Sequence, residues 1–231
     1  WGRRNLRDVL IKGRPVFIGK IVLEYQNGET EVIGTDNTWK FTEGPLLKND
    51  VYLGEVYDAR KEIEGWNLPG FDASSWSDAV ISNGPGGKLQ KAFFPPIQVT
   101  KRIQPEKIYS PQQGIFIVDM GLNFTGFYRI KLKNEPGDSI VFRFGERIYS
   151  DGSLNPMTTV CGQIKKEGMG GPGAPAVAWQ TDTYICGSRN EEWYQPEFTF
   201  HTFRYMEIAG LKNQSNPDDI EGLAINTVVA E

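Results

Sequence analysis

Between Gly54 and Arg60 the chain reads Gly-Glu-Val-Tyr-Asp-Ala-Arg, which sets two carboxylates and a guanidinium in one short block. Paired carboxylates are the equipment of acid/base chemistry on glycosidic bonds. The β-branched and aromatic content favours an extended backbone, and side chains alternate along a strand. Asp58 and Arg60 then share a face, while Glu55 points the other way. A same-face Asp–Arg pair is a structural ion pair or a clamp on a ligand. Just upstream stand Asn49 and Asp50. Adjacent side-chain oxygens in a loop, with backbone carbonyls nearby, suit a hard cation such as calcium; they equally suit a solvated turn.

Other residues with chemical potential are fewer. His201 is the single histidine. It lies in the run Phe198–Ile208 among bulky apolar neighbours, so a hydrogen-bonded structural role is expected rather than metal binding or nucleophile activation. Trp39, Tyr52, Tyr57, Trp66, Phe71 and Trp76 crowd the first half. Most must fill a core, since each buries a large apolar area. Trp66 has the most loop-like surroundings and is the candidate platform for stacking on a sugar. Cys161 and Cys186 are the two cysteines. They are either independent thiols or a disulfide closing a loop of about 25 residues.

The elements that must carry these residues are strands. Gly (26) and Pro (14) are scattered along the 231 residues, a pattern of short strands and tight turns that disfavours long helices. A hydrophobic fraction of 39% supplies enough apolar surface for cores, which excludes disorder. The net charge of −4, without a basic cluster, argues against nucleic-acid binding. No apolar run approaches the ~20 residues that cross a bilayer, so no membrane partner is expected.

Asn27-Gly28 between residues 21–25 and 30–33 predicts a β-hairpin. Residues 115–120, 128–132, 140–144 and 182–186 read as strands, with 134–138 as a hairpin turn. Ile140, Phe142 and Phe144 share one face by period two. Residues 198–208 carry bulky groups on both faces and predict a central strand. Residues 168–175 form a long Gly/Pro-rich loop. Pro95-Pro96 and Pro105 suggest a seam near 104–106. The expectation is an all-β chain of two antiparallel β-sandwich domains, residues 1–105 and 106–231.

Taken in order, these blocks resemble the bacterial α-L-rhamnosidases of glycoside hydrolase family 78. Thr35–Trp39, Gly44-Pro45, Asn49–Tyr52, Gly54–Arg60, Gly65-Trp66, Phe71-Asp72 and Trp76 resemble the family's N-terminal jelly-roll domain. Asp119–Gly126, Phe144–Glu146, Asp151–Leu154, Asp182–Tyr184 and His201–Glu207 resemble its concanavalin-like β-sandwich. The resemblance implies that hydrolysis belongs to a downstream (α/α)6 barrel, where two carboxylates invert the anomeric centre of terminal α-L-rhamnose. No counterpart of that acidic block occurs here. The chain ends about where the barrel should begin, and its abrupt start suggests a missing beginning. No catalytic residue is expected within it, and it is expected to be inactive alone. The barrel of the same polypeptide and a rhamnose-containing glycan are the expected partners, in a secreted or periplasmic protein. Some members carry a calcium-linked rhamnose-binding module related to the first domain. By that resemblance Asn49 and Asp50 stand where metal and sugar ligands would lie, in the order Asn-Asp rather than Asp-Asn. Asp58, Arg60 and Trp66 are the further carbohydrate-binding candidates. A freestanding calcium-dependent lectin and purely structural domains are the alternatives.

Overall fold

A computed structural model describes residues 16–84, 86, 88, 90–160 and 175–228. Its strands are β1 (Lys20–Glu24), β2 (Thr30–Gly34), β3 (Lys40–Phe41), β4 (Leu46–Asp50), β5 (Gly54–Asp58), β6 (Ser77–Asp78), β7 (Ile97–Ile103) and β8 (Lys107–Gln112). They continue with β9 (Ile115–Leu132), β10 (Ser139–Gly145), β11 (Arg147–Ile148), β12 (Leu154–Asn155), β13 (Thr181–Ile185), β14 (Glu192–Tyr194), β15 (His201–Ala209) and β16 (Ile220–Thr227). The helical content among the described residues is limited to short 3-10 turns, so the all-β expectation holds.

Two compact units emerge. One comprises Trp1–Glu43 with Gly65–Ala92, the other Gly44–Glu64 with Phe93–Glu231. Residues 44–64 and 93–105, expected on the N-terminal side of a single cut, therefore belong with the second unit. The cause is pairing: β5 lies parallel to β13, with Val56 opposite Thr183 and Tyr57 opposite Tyr184, and β7 pairs with β16.

In the first unit β1 and β2 form the expected antiparallel hairpin, with Val22 opposite Val32. Its loop is longer than a two-residue turn. Gly28 takes φ +86° and donates its N–H to the Tyr25 carbonyl at 2.9 Å, while Asn27 stays at negative φ and its Oδ1 accepts the Glu29 N–H. This is the arrangement of a glycine-bulged hairpin loop. β3 pairs with β6. None of the described residues of this unit is buried.

The second unit holds the core. Its sheet runs β4-β5-β13-β10-β15-β9-β16-β7, with β8 and β14 also paired to β9. The 18-residue β9 pairs with β15 and β8 along its first part and with β16 and β14 along its end. One strand thus serves both halves of the curled sheet. β15 lies between β10 and β9, as expected for a central strand. Ile140, Phe142 and Phe144 are fully buried on one face of β10. Each such side chain stabilises the fold by about 1.5–3 kcal/mol. Residues 134–138 do not close a hairpin, because β9 and β10 are not ladder partners. They face each other across the core instead: the Tyr128 ring meets Phe142 at 4.8 Å and Phe144 at 5.6 Å between centroids.

Candidate functional site

The second unit carries four of the five sequence candidates. Asn49 and Asp50 end β4, opposite Glu55 and Gly54 of β5. Consecutive strand residues face opposite ways, so their side chains diverge. Asp50 Oδ1 accepts the Tyr52 N–H at 2.7 Å and the Leu53 N–H at 3.1 Å, closing the turn into β5. A calcium ion requires six to eight converging oxygens. With Asp50 Oδ1 committed to the turn, these two residues by themselves do not supply that set. Among the described residues no cluster of three or more His, Cys, Asp or Glu side chains is arranged to hold a metal.

Asp58 and Arg60 do come together. β5 stops at Asp58, which caps a 3-10 turn, Ala59–Lys61, by accepting the Arg60 N–H. The Arg60 fork closes on the same carboxylate, Nε to Oδ1 at 2.8 Å and Nη2 to Oδ2 at 2.9 Å. This bidentate pair holds the buried Asp58 carboxyl below its ordinary pKa. Both carboxylate oxygens are occupied by the protein itself. Trp66 lies in the first unit, 61% exposed in a turn where Leu68 donates its N–H to the Gly65 carbonyl.

Behind β5 lies a buried polar network that the sequence did not reveal. Asp182 Oδ1 accepts the Glu55 N–H at 2.9 Å. Its Oδ2 accepts from His201 Nε2 at 2.9 Å and from the Tyr128 hydroxyl at 3.3 Å. The other His201 nitrogen faces Gln180 Oε1 at 3.0 Å, and the imidazole stacks on Phe144 at 3.9 Å. His201 is the hydrogen-bonded structural histidine that its neighbours suggested. Glu55, fully buried, accepts from the Tyr194 hydroxyl and from the Glu197 and Phe198 N–H groups, each at 3.2 Å. Burial raises its pKa, and those hydrogen bonds only partly offset the effect. With Glu55 and Asp182 fully enclosed and bonded, neither is placed to protonate a substrate.

The network braces a surface cleft of about 290 Å3. Tyr184 and Tyr194 form its buried side, with ring centroids 4.6 Å apart, and Tyr57 stacks on Tyr184 at 5.7 Å. Each phenol is committed inward or sideways. Tyr194 donates to Glu55, Tyr184 to Glu192 at 3.0 Å, and Tyr57 to Glu62 at 3.1 Å. Burial and these carboxylates push all three phenol pKa values up. The rim carries Trp193, 49% exposed, with the Arg129 guanidinium over its ring at 4.4 Å. Gln195 and Glu197 complete the lining. The arrangement offers aromatic surface with polar groups of both signs. Trp193-Tyr194-Gln195, an aromatic pair beside polar groups, was its one local sequence signal.

Comparison with known proteins identifies two regions. Residues 2–101 match the profile described as the alpha-L-rhamnosidase N-terminal domain, and residues 110–226 the bacterial alpha-L-rhamnosidase concanavalin-like domain. An alpha-L-rhamnosidase of Streptomyces avermitilis is 30% identical over 215 residues, covering 93% of this chain and 19% of its own length. One from Formosa agariphila is 28% identical, covering 96% of this chain and 22% of its own. The solved structure of alpha-L-rhamnosidase from Dictyoglumus thermophilum superposes with a TM-score of 0.79 at 41% identity, over 90% of this chain and 22% of that one. The chain spans about a fifth of the length of the curated relatives it matches.

Proposed function

The chain belongs to the bacterial alpha-L-rhamnosidase family, and from that membership we propose that it is the non-catalytic β-sandwich portion of a larger enzyme that releases terminal α-L-rhamnose from glycosides. In this reading its sheets support a catalytic barrel in the same polypeptide, shape access to that barrel's pocket and take part in holding rhamnosylated glycan. A secreted or periplasmic location suits that work. The observation that carries the reading is the match of both regions to non-barrel domains of proteins about five times longer. Supporting it, the fully buried carboxylates of the second unit, Glu55 and Asp182, are spent on internal hydrogen bonds. An inverting pair needs solvent-reachable carboxyls with room for a water between them.

The test is release of rhamnose by the protein made from the whole reading frame. Chromatography of a rhamnosylated flavonoid digest should show free rhamnose and the trimmed aglycone. Intact glycoside after prolonged incubation with correctly folded protein would refute the proposal.

A further inference from the structure

We propose that the cleft between Tyr57, Tyr194 and Trp193 is a binding subsite for a neutral pyranose sugar, separate from the residues Asn49, Asp50, Asp58, Arg60 and Trp66. Only the choice of ligand class rests on the reading above; the cleft stands on its own geometry.

Size comes first. At about 290 Å3 the cleft sits at the low end of small-ligand sites and suits one monosaccharide unit. Next is the kind of surface. Because the three tyrosine hydroxyls are bonded to Glu55, Glu192 and Glu62, the rings are fixed in place: Tyr184 and Tyr194 are buried within the wall, and the half-buried Tyr57 and the exposed Trp193 present ring surface to whatever enters. Rings locked before binding lose little rotamer freedom when a ligand arrives. Burial braces the wall from behind, since Glu55 also accepts the N–H groups of Glu197 and Phe198.

The third feature is unspent hydrogen-bonding capacity. Arg129 stacks on Trp193, and among the described residues no carboxylate pairs with it. The side chains of Gln195 and Glu197 likewise have no hydrogen-bond partner among the described residues. A guanidinium, an amide and a carboxylate together provide donors and acceptors in planar, two-pronged form, the shape that matches neighbouring ring hydroxyls. Charge then selects the ligand. Glu62 is already bonded to Tyr57 and to Arg189 at 3.1 Å, which leaves Arg129 and Glu197 as separate charges of opposite sign on the lining. One open charge of each sign suits a neutral polyhydroxylated ring, whereas a uronic acid's attraction to Arg129 is offset by repulsion from Glu197.

Calorimetric titration of the chain with L-rhamnose, and with D-glucuronate as the anionic control, tests this. Saturable heat with L-rhamnose is expected, with a dissociation constant on the order of millimolar and no heat with glucuronate. Trp193→Ala and Arg129→Ala should each weaken binding roughly tenfold or more, and Trp193→Phe should recover part of it. Near-UV circular dichroism keeps a folding failure apart from a binding failure. The proposal is overturned if L-rhamnose gives no heat, if both alanine variants bind as the parent does, or if glucuronate binds more tightly than rhamnose. A flat titration beside active whole enzyme sinks the cleft alone; rhamnose binding beside inactive whole enzyme sinks the rhamnosidase reading alone.

Discussion

Replacing Asp182 by alanine should cost the second unit about 3–5 kcal/mol of stability. The figure follows from counting donors. Asp182 accepts the Glu55 N–H, His201 Nε2 and the Tyr128 hydroxyl, and all three residues are buried. A buried donor left without an acceptor costs about 1–3 kcal/mol. The Tyr128 bond, at 3.3 Å, belongs at the lower end of that range. For a unit of this size each kcal/mol moves the melting midpoint by roughly 2–4 °C, so a fall of roughly 6–20 °C is expected. Asp182→Asn keeps one oxygen and should lose about half as much. Urea unfolding followed by near-UV circular dichroism, which reads the packed aromatics, gives the number. A loss below about 1 kcal/mol for the alanine variant would mean that the network is not what locks β5 and β13 together.

Gly54→Ala should destabilise the same junction by about 3 kcal/mol or more. Gly54 holds φ +94°, and a Cβ there would collide with the Thr181 carbonyl oxygen; thermal unfolding reads the loss. Asp58 has a folded pKa below its ordinary value because of Arg60. Its stabilisation is therefore complete above the unfolded pKa of about 4 and disappears as the pH falls through the lower folded value. Asp58→Asn should flatten the acid limb of the stability–pH curve, and an unchanged limb would contradict the pairing. Cys186 is a free buried thiol whose pKa burial and the nearby Glu192 push up to about 12. Iodoacetamide at pH 8 should leave it unlabelled in the folded protein and label it in urea, as peptide mass spectrometry would show. Cys161 lies outside the described residues.

What the sequence discloses is local. Period-two spacing at Ile140, Phe142 and Phe144 identifies a buried face, and Asn27-Gly28 identifies a hairpin, because both depend on neighbours in the chain. Asp58 and Arg60 were recognisable as partners for the same reason, although they meet through a capped turn and not along a strand. The network of Glu55, Asp182 and His201 was not legible, since 127 residues separate Glu55 from Asp182 and no pattern within either segment specifies a parallel pairing. The packing of segment 44–64 into the second unit is hidden for that same reason, although the family profile runs through it as part of the N-terminal domain. The cleft was missed because Tyr57, Arg129, Tyr184 and Trp193 come from four strands or their ends. Asn49 and Asp50 illustrate the converse: adjacency in sequence suggested convergence, and strand alternation separates their side chains.

In the proposed reading these sheets carry no bond-breaking centre of their own. The measurement that meets it head-on is turnover of a chromogenic α-L-rhamnoside by the purified 231-residue chain, run beside the product of the whole reading frame at equal molarity. Colour release is expected from the longer protein, and none above the buffer blank from this chain. Steady, saturable turnover by this chain, at a rate comparable to that of the longer protein, would contradict it.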